Sequence, residues 1–343
     1  SSDVCSSDLK NMNNLKKIGL SALAGSLVAF SANAVEMSVS GTAEITYATL
    51  KGDGTAGVTT GSPWGSNTSM AFTGSGNVGW ADVTLKRTIN DKLGSAYLSA
   101  WQTMDMGDLG TISFDAIGGG LEGVTAYDDK LPTAYEEIWN GVSGSGIAGA
   151  ASNDTIGYSN SFGPVSVSLA TSKEGGTAGS TDGGTAAEAV TGTITDAHFT
   201  LDASMLLDGL TIMAGTSETD YTNAGVASDT ANVAHVLYST GPVSVGYRMG
   251  EAQSGTASTA GQNIEAMSIA FAVNDEISVS VGTQDTEYDT PSGVNITENV
   301  DAISASYTVG AASIRMHNAS SSNDGGVTGQ DVDYMELSLV LAF

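Results

Sequence analysis

A row of carboxylates in the polar stretch of residues 117–153 is the feature of this sequence with the clearest capacity for chemistry. The row consists of Glu122, Asp128, Asp129, Glu136 and Glu137, and Lys130 is the only basic residue in the stretch. Clustered carboxylates attract cations and repel anions. The adjacent pairs Asp128-Asp129 and Glu136-Glu137 could also bind Ca²⁺ through several oxygens, although the spacing is not that of an EF-hand. A solvated loop surface is the alternative interpretation.

Other catalytic or metal-binding patterns find little support. His198, His235 and His317 stand too far apart in the sequence to argue a shared site. The sequence contains no nucleophile elbow, no HExxH pair and no glycine-rich phosphate loop. We therefore predict that the protein is not an enzyme and needs no cofactor, with calcium as the one possible exception.

The elements that must position the carboxylates are strands, as the last thirteen residues show most clearly. In DVDYMELSLVLAF, apolar side chains alternate with mostly polar ones up to a terminal aromatic, Phe343. A period of two indicates a strand with one apolar and one wet face. About sixteen segments alternate in this way, and Ser95 to Met104 does so poorly. They are residues 36–49, 68–78, 80–89, 95–104, 109–117, 154–162, 164–172, 190–207, 209–218, 229–240, 242–252, 263–273, 275–286, 299–309, 311–319 and 331–343.

The connections between these segments are of two kinds. Tight turns such as Gly163-Pro164 and Gly241-Pro242 alternate with long polar stretches, of which 117–153 is the longest. This layout, with an even strand count, favours a closed antiparallel transmembrane barrel with tight turns at one rim and long loops at the other. The alternation in the third segment puts Arg87 on the same face as Leu85, unless a bulge turns it inward.

The N-terminal region is typical of an exported protein. Residues 12–34 combine two lysines, a short apolar run and a small-residue motif ending at Ala34, which predicts a signal peptide cleaved after Ala34. We interpret residues 1–11 as an extraneous extension and residues 35–343 as one barrel domain. No later stretch has eighteen or more uncharged apolar residues, so no transmembrane helix is predicted.

The charge of the domain limits its partners. The chain has 11 basic and 38 acidic residues, and removing the three lysines and two aspartates of residues 1–34 leaves a net charge near −28. Nucleic acid is excluded as a partner, because phosphate binding needs clustered Lys and Arg. Metal cations and cationic solutes are compatible with this charge. The domain has no cysteine, so disulfides cannot stabilise it.

The chain resembles the general porins of Gram-negative outer membranes, most closely the alphaproteobacterial type. The resemblance is carried by EMSVSGTAEITYA, MGDLGTISFDAIGGG, AYDDKLPTAYEE, NDTIGYSNSFGPVSVSLA and the terminal LSLVLAF. It implies a homotrimeric barrel of sixteen strands in the outer membrane, with the third long loop folded into the lumen. It also implies that Phe343 acts as the C-terminal signal read by the barrel assembly machinery.

The resemblance further implies a pore constriction between acidic and basic residues. The acidic candidates are Asp115, Glu122, Asp128, Asp129, Glu136 and Glu137, and the basic wall candidates are Lys86, Arg248 and Arg315. The family carries a cluster of basic residues on the wall of the pore, and this sequence offers only these three candidates. We therefore expect passive diffusion of small hydrophilic solutes and ions with a preference for cations, in contact with outer-membrane lipid and lipopolysaccharide. A secreted acidic β-rich adhesin or cell-surface structural protein is the alternative.

Overall fold

A computed structural model describes residues 36–52, 61–90, 99–117, 130–144, 146, 154–174, 192–222, 226–255, 261–289 and 293–343. The predicted extension, signal peptide and cleavage point lie outside these ranges and stay predictions, as do the positions of Glu122, Asp128 and Asp129. No helix in the described part of the chain is long and apolar enough to cross a membrane.

The described strands form one closed antiparallel barrel in which each strand pairs with its neighbours in the sequence. The strands are β1 Glu36–Gly52, β2 Trp64–Asn77, β3 Asp82–Asn90, β4 Ser99–Asp105, β5 Thr111–Ile117, β6 Thr155–Phe162, β7 Val165–Glu174, β8 Gly192–Asp202, β9 Leu210–Tyr221, β10 Asp229–Thr240, β11 Val243–Gln253, β12 Gly261–Ala272, β13 Ile277–Asp289, β14 Ile296–Val309, β15 Ala312–Ser322 and β16 Val332–Ala342. The predicted barrel and its sixteen strands are confirmed.

The first and last strands close the barrel. Their register runs from Thr42 opposite Ala342 to Gly52 opposite Val332. Beyond it, the amide of Gly41 donates to the carbonyl of Phe343 at 2.7 Å, and the amide of Phe343 donates back at 2.9 Å. Closure gives both terminal strands a partner, so neither leaves a free edge of backbone groups.

The polarity of the two faces of the barrel is the reverse of that in a soluble protein, with apolar side chains outside and polar side chains inside. Along β11, Val245 and Met249 are exposed on the outer face, whereas Arg248 on the inner face is buried. Along β13, Val279 and Val281 are exposed, whereas Gln284 is buried. Apolar residues therefore cover the outside of the barrel and polar residues its inside, as the alternation predicts.

Arg87 is an exception to this distribution, because it is a charged residue on the outer face. It pairs in regular register with Phe72 of β2 and Ala100 of β4, and it is exposed on the outer face beside Leu85. The register shift lies in β4, between Ala100 and Trp101, and does not turn Arg87 inward.

The connections alternate between the two rims as expected. At the short-turn rim, Gly163 and Gly241 have positive φ angles of 61° and 53°, the left-handed geometry that two-residue hairpin turns require. Several predicted boundaries differ from the observed ones; β2, for example, begins at Trp64 and not at residue 68. The largest difference is at β8, which ends at Asp202 and not at residue 207. Residues 203–207 turn instead, and the amides of Leu206 and Leu207 donate to the carbonyl of Ala203.

Candidate functional site

Residues 130–144, which belong to the long polar stretch 117–153 predicted to fold into the lumen, lie against the inner wall of the barrel; we call them the inner loop. Leu131 and Ile138 are buried in a cluster with Ala266, Val300 and Ala319, which project inward from β12, β14 and β15. Backbone groups of the loop also bind the wall. The amide of Ala134 donates to Ser280 Oγ at 2.8 Å, and Ser268 Oγ donates to the carbonyl of Pro132 at 2.8 Å.

Two wall glycines provide the space in which the inner loop lies. A Cβ on Gly246 would stand 2.5 Å from Cδ of Pro132, and a Cβ on Gly282 would stand 2.7 Å from Ile138. Such distances are too short for real carbon atoms, so a side chain at Gly246 would require Pro132 to shift, and one at Gly282 would require the Ile138 side chain to shift. The wall sequence therefore fits the shape of this segment.

Tyr135 connects the inner loop to the closing strands. Its hydroxyl lies 2.7 Å from Oε1 of Glu336 on β16 and 3.3 Å from Oε1 of Glu44 on β1. The second carboxylate oxygen of Glu336 accepts a hydrogen bond from Tyr334, and Glu44 accepts one from Ser338. Burial and the bond to Glu336 raise the pKa of Tyr135, so its hydroxyl keeps its proton and acts as a donor.

Glu136 adds a carboxylate to the same place. Burial raises its pKa above the ordinary value, a hydrogen bond from Tyr135 opposes the rise, and the charges of Glu336 and Glu44 add to it. Glu136 and its neighbour Glu137 are the two predicted loop carboxylates within the described residues. Negative charge is thus concentrated where the inner loop meets β1 and β16.

The end of the inner loop is bound by two further groups. Asp324, in the short 3-10 turn Asp324–Gly326 between β15 and β16, accepts from the amide of Ser143 at 2.8 Å and from its hydroxyl at 2.6 Å. Nε2 of His317 lies 3.2 Å from the carbonyl oxygen of Asn140, and its Nδ1 lies 2.8 Å from Ser304 Oγ. His317 therefore supports the loop, and no catalytic role is needed to explain it.

The three predicted wall cations do not form one cluster facing the channel. Arg248 lies on the inner face of β11, as predicted, but it is 0 % exposed, so no part of it lines the open lumen. The inner loop covers it, and Trp139 lies 4.6 Å from its Cζ, measured to the ring centroid. Cζ of Arg315 lies 5.3 Å from the ring centroid of Tyr135. Both arginines therefore contact aromatic rings of the inner loop.

Lys86 and Asp115 belong to a different part of the wall. The register places Lys86 of β3 opposite Trp101 of β4, and Trp101 opposite Asp115 of β5. Nζ of Lys86 lies 5.9 Å from the Trp101 ring centroid. Asp115 is buried on a strand, so it is a wall residue and not part of the loop.

Much of the acidity lies outside the lumen. Several carboxylates project from the outer face towards the long-loop rim, above the apolar band, and are exposed. They are Glu218, Glu251, Glu265, Asp285, Asp301 and Asp333. The net charge of the domain therefore overstates the negative charge of the channel, which depends on inward groups such as Glu44, Glu136 and Glu336.

The described residues give the predicted calcium site no direct support. They contain no group of three or more His, Cys, Asp or Glu side chains arranged to hold a metal ion. Asp128 and Asp129, half of the predicted ligands, lie outside the described residues. Calcium binding stays a prediction.

Sequence reasoning missed most residues that hold the inner loop. Tyr135, Trp139, Asp324, Glu44 and Glu336 are not among the predicted site residues. The alternation in EMSVSGTAEITYA and DVDYMELSLVLAF places both glutamates on the polar face of their strands. Their contact with Tyr135 depends on barrel closure, and a local pattern cannot reveal it.

Comparisons with known proteins agree with the geometry. The anion-selective porin from Comamonas acidovorans is 12% identical with a TM-score of 0.65, over 90% of this chain and 100% of that chain. OmpF of Salmonella typhi in complex with daunomycin is 11% identical with a TM-score of 0.65, and the match covers 90% of this chain and 97% of that chain. A loop L8 deletion mutant of OmpT, an outer membrane protein of Vibrio cholerae, is 11% identical with a TM-score of 0.62. The match covers 90% of this chain and 100% of that chain.

No family model and no curated protein matches the sequence. At such low identities the structural likeness shows the fold, a closed barrel of sixteen antiparallel strands like those of solved bacterial porins. The alphaproteobacterial type predicted from the sequence stays a prediction.

Proposed function

We propose that this protein is an outer-membrane porin through which small hydrophilic solutes and ions diffuse passively, with a preference for cations. The observation that carries the proposal is the inner loop, residues 130–144, lying within a closed barrel that is apolar outside and polar inside. Such a barrel suits lipid on its outer face and water on its inner face. A loop against the inner wall narrows the passage.

The outer surface argues against a secreted adhesin. Large apolar side chains such as Leu85, Val281 and Leu339 are exposed around the barrel. Soluble proteins rarely expose continuous apolar patches of this extent, because water disfavours them. A membrane explains this surface, and a soluble adhesin does not.

The preference for cations rests on side chains and not on the fold. An anion-selective porin shares this barrel architecture, so the sign of selectivity must come from the groups in the lumen. Here Glu44, Glu136 and Glu336 converge beside the inner loop. Arg248 is buried behind the loop, and its charge is therefore poorly placed to attract anions. Carboxylates grouped along a pore favour cations.

The assembly partners are part of the proposal. A homotrimer, contact with lipopolysaccharide and delivery by the barrel assembly machinery follow from the resemblance to porins. One solved neighbour is described as the trimer form of OmpT of Vibrio cholerae, which supports the trimer for this fold. Chemical cross-linking of membranes, followed by denaturing gels, would show a threefold mass.

Reversal potentials across a planar bilayer with a salt gradient test the selectivity. The test variant neutralises the four loop acids, with Asp128→Asn, Asp129→Asn, Glu136→Gln and Glu137→Gln. We expect the parent to prefer cations and the variant to lose much of this preference. The preference should weaken from 0.1 M to 1 M salt, as the Debye length falls from about 10 Å to about 3 Å.

A matched control removes four acids from the outer face. Glu218→Gln, Glu251→Gln, Glu265→Gln and Asp301→Asn change the net charge by the same amount without touching the lumen. We expect this control to keep the selectivity of the parent. An anion-selective parent, or equal selectivity in the two quadruple variants, would contradict the role of the loop acids.

Calcium binding by Asp128, Asp129, Glu136 and Glu137 is a separate part of the proposal. If calcium neutralises these acids, micromolar-to-millimolar Ca²⁺ should reduce the cation preference of the parent, and a chelator should restore it. The quadruple loop variant should not respond. An equal response in both proteins would exclude this site.

A further inference from the structure

Two of the three predicted wall cations lie over aromatic rings that belong to the inner loop. Cζ of Arg248 is 4.6 Å from the centroid of the Trp139 ring, and Cζ of Arg315 is 5.3 Å from that of Tyr135. Lys86, by contrast, lies over a ring of the wall itself, that of Trp101. The loop and the two arginines are therefore in direct contact, and Lys86 provides an internal comparison.

Arg248 is the more strongly enclosed of the two arginines. It is 0 % exposed, and its Nη2 donates to Oε1 of Gln284 at 2.6 Å. Gln284 on β13 is also fully buried and donates in turn to Thr286 Oγ1 at 3.2 Å. A cation removed from water is costly unless polar or aromatic groups replace the water. The Trp139 ring, which the loop supplies, is one of those groups.

The surrounding wall fits the loop on both sides of this contact. Gly246 accommodates Pro132, and Gly282 accommodates Ile138, with no room for a Cβ at either glycine. Leu131 and Ile138 are 8 % and 2 % exposed. If the loop moved away, Arg248 would lose the ring and these apolar side chains would enter water. The position of the loop therefore determines whether the guanidinium of Arg248 keeps its contact with the Trp139 ring.

We propose that Arg248 is a positioning residue that holds the inner loop against the wall through Trp139, and that it does not act as an ion-selecting cation of the channel. The consequence for the pore rests on the proposed function, whereas the contact itself does not. The proposal makes a specific prediction of coupling. Removing the ring while leaving the buried cation should release the loop more than removing both.

Chemical labelling measures the loop position without relying on conduction. All proteins carry Cys5→Ser and Leu131→Cys, so that the only thiol lies at a buried loop position. In the folded barrel, W139L should raise the rate of maleimide labelling by about tenfold or more, equivalent to about 1.4 kcal/mol. The double variant R248M/W139L should label more slowly than W139L, because no buried cation is left without its ring.

Lys86→Met/Trp101→Leu is the matched control for R248M/W139L, because it also removes one inward cation together with the aromatic ring beneath it, on strands β3 and β4. It should label at the rate of the parent. Heat-dependent gel mobility confirms that each variant is a folded barrel. The proposal is overturned if W139L labels like the parent, or if the double variant labels as fast as W139L or faster, since a purely steric role would give that result.

Bilayer recordings then connect the loop to the pore. W139L should show larger or noisier single-channel currents than the parent, and R248M/W139L should be closer to the parent. If no variant and no parent conducts, the proposed porin function fails, while the labelling result still decides the role of Arg248.

Discussion

Asp324 binds Ser143 through both of its carboxylate oxygens. Oδ1 accepts from the amide of Ser143 at 2.8 Å, and Oδ2 accepts from its hydroxyl at 2.6 Å, with Asp324 itself buried. The two residues are 181 positions apart, so this contact joins the end of the inner loop to the connection between β15 and β16. Charge-assisted bonds of this kind are among the stronger ones in proteins.

Asp324→Asn should loosen the end of the inner loop. Asparagine is uncharged and has one acceptor oxygen, so the bond from the Ser143 amide loses its charge assistance and the Ser143 hydroxyl can no longer donate to a carboxylate oxygen. We expect a cost of about 1–3 kcal/mol to the local docking of the loop. Hydrogen exchange read by mass spectrometry should show faster exchange in the peptide containing Ser143.

Asp333→Asn is the control for this change. Asp333 is exposed on the outer face and accepts from Ser320 Oγ at 2.8 Å, so the chemistry of the substitution is the same. It should leave exchange of the inner loop unchanged. Equal acceleration in both variants would show that the effect is not specific to the contact with Ser143.

Deleting Phe343 should strongly reduce the amount of assembled barrel. The residue exchanges two backbone hydrogen bonds with Gly41, and its ring lies over that glycine, where a Cβ would be only 2.6 Å away. The deletion removes both the bonds and the ring at the closing seam. The measurement is the fraction of heat-modifiable protein in isolated outer membranes.

Phe162→Ala provides the comparison for the loss of an aromatic side chain. Phe162 is also an exposed aromatic at the end of a strand, but it is distant from the closing pair of strands. Its replacement should have a small effect on assembly. If both variants assemble as well as the parent, the closing role of Phe343 is wrong.

The sequence predicts the barrel well because the information is local and repeated. Alternation in DVDYMELSLVLAF determines which side chains face outward on β16, and the turn at Gly163-Pro164 places β6 beside β7. The same approach placed Arg248 on the wall correctly but could not show that Trp139, more than a hundred residues earlier, covers it. Contacts of the inner loop depend on the closed barrel, so they follow from tertiary structure and not from periodicity.

The two faces should differ in their tolerance for charge. Val245 is exposed on the outer face within the apolar band, whereas Ser244 faces inward and lies 2.9 Å from Ser239, measured between the hydroxyl oxygens. Val245→Arg should destabilise the barrel in lipid, but by less than the roughly 2–4 kcal/mol expected at the midplane, because Val245 is the third residue of β11 and lies towards the short-turn rim. Ser244→Arg should be tolerated, because the lumen is wet. Refolding yields into vesicles compare the two variants directly, and equal yields would contradict the assigned faces.

Glu136 should make the stability of the loop region depend on pH. Burial, together with the charges of Glu336 and Glu44, holds the pKa of Glu136 above its ordinary value in the folded protein. The folded state therefore binds the proton more tightly than the unfolded state does. The resulting stabilisation is fully present below the pKa of the unfolded group, about 4.3, and is lost as pH rises through the higher folded pKa.

Glu136→Gln should consequently be more stable than the parent at pH 7, and the difference should disappear as the pH falls towards 4. The temperature of the heat-dependent gel transition, measured across this pH range in detergent, reports the difference. Glu265→Gln, an exposed change on the outer face, should match the parent at every pH. The neutral amide avoids the cost of a buried charge only at a pH at which the carboxylate is ionised. A Glu136→Gln variant that is no more stable than the parent at pH 7 would therefore contradict the burial of this carboxylate. So would a variant whose gain in stability does not change with pH.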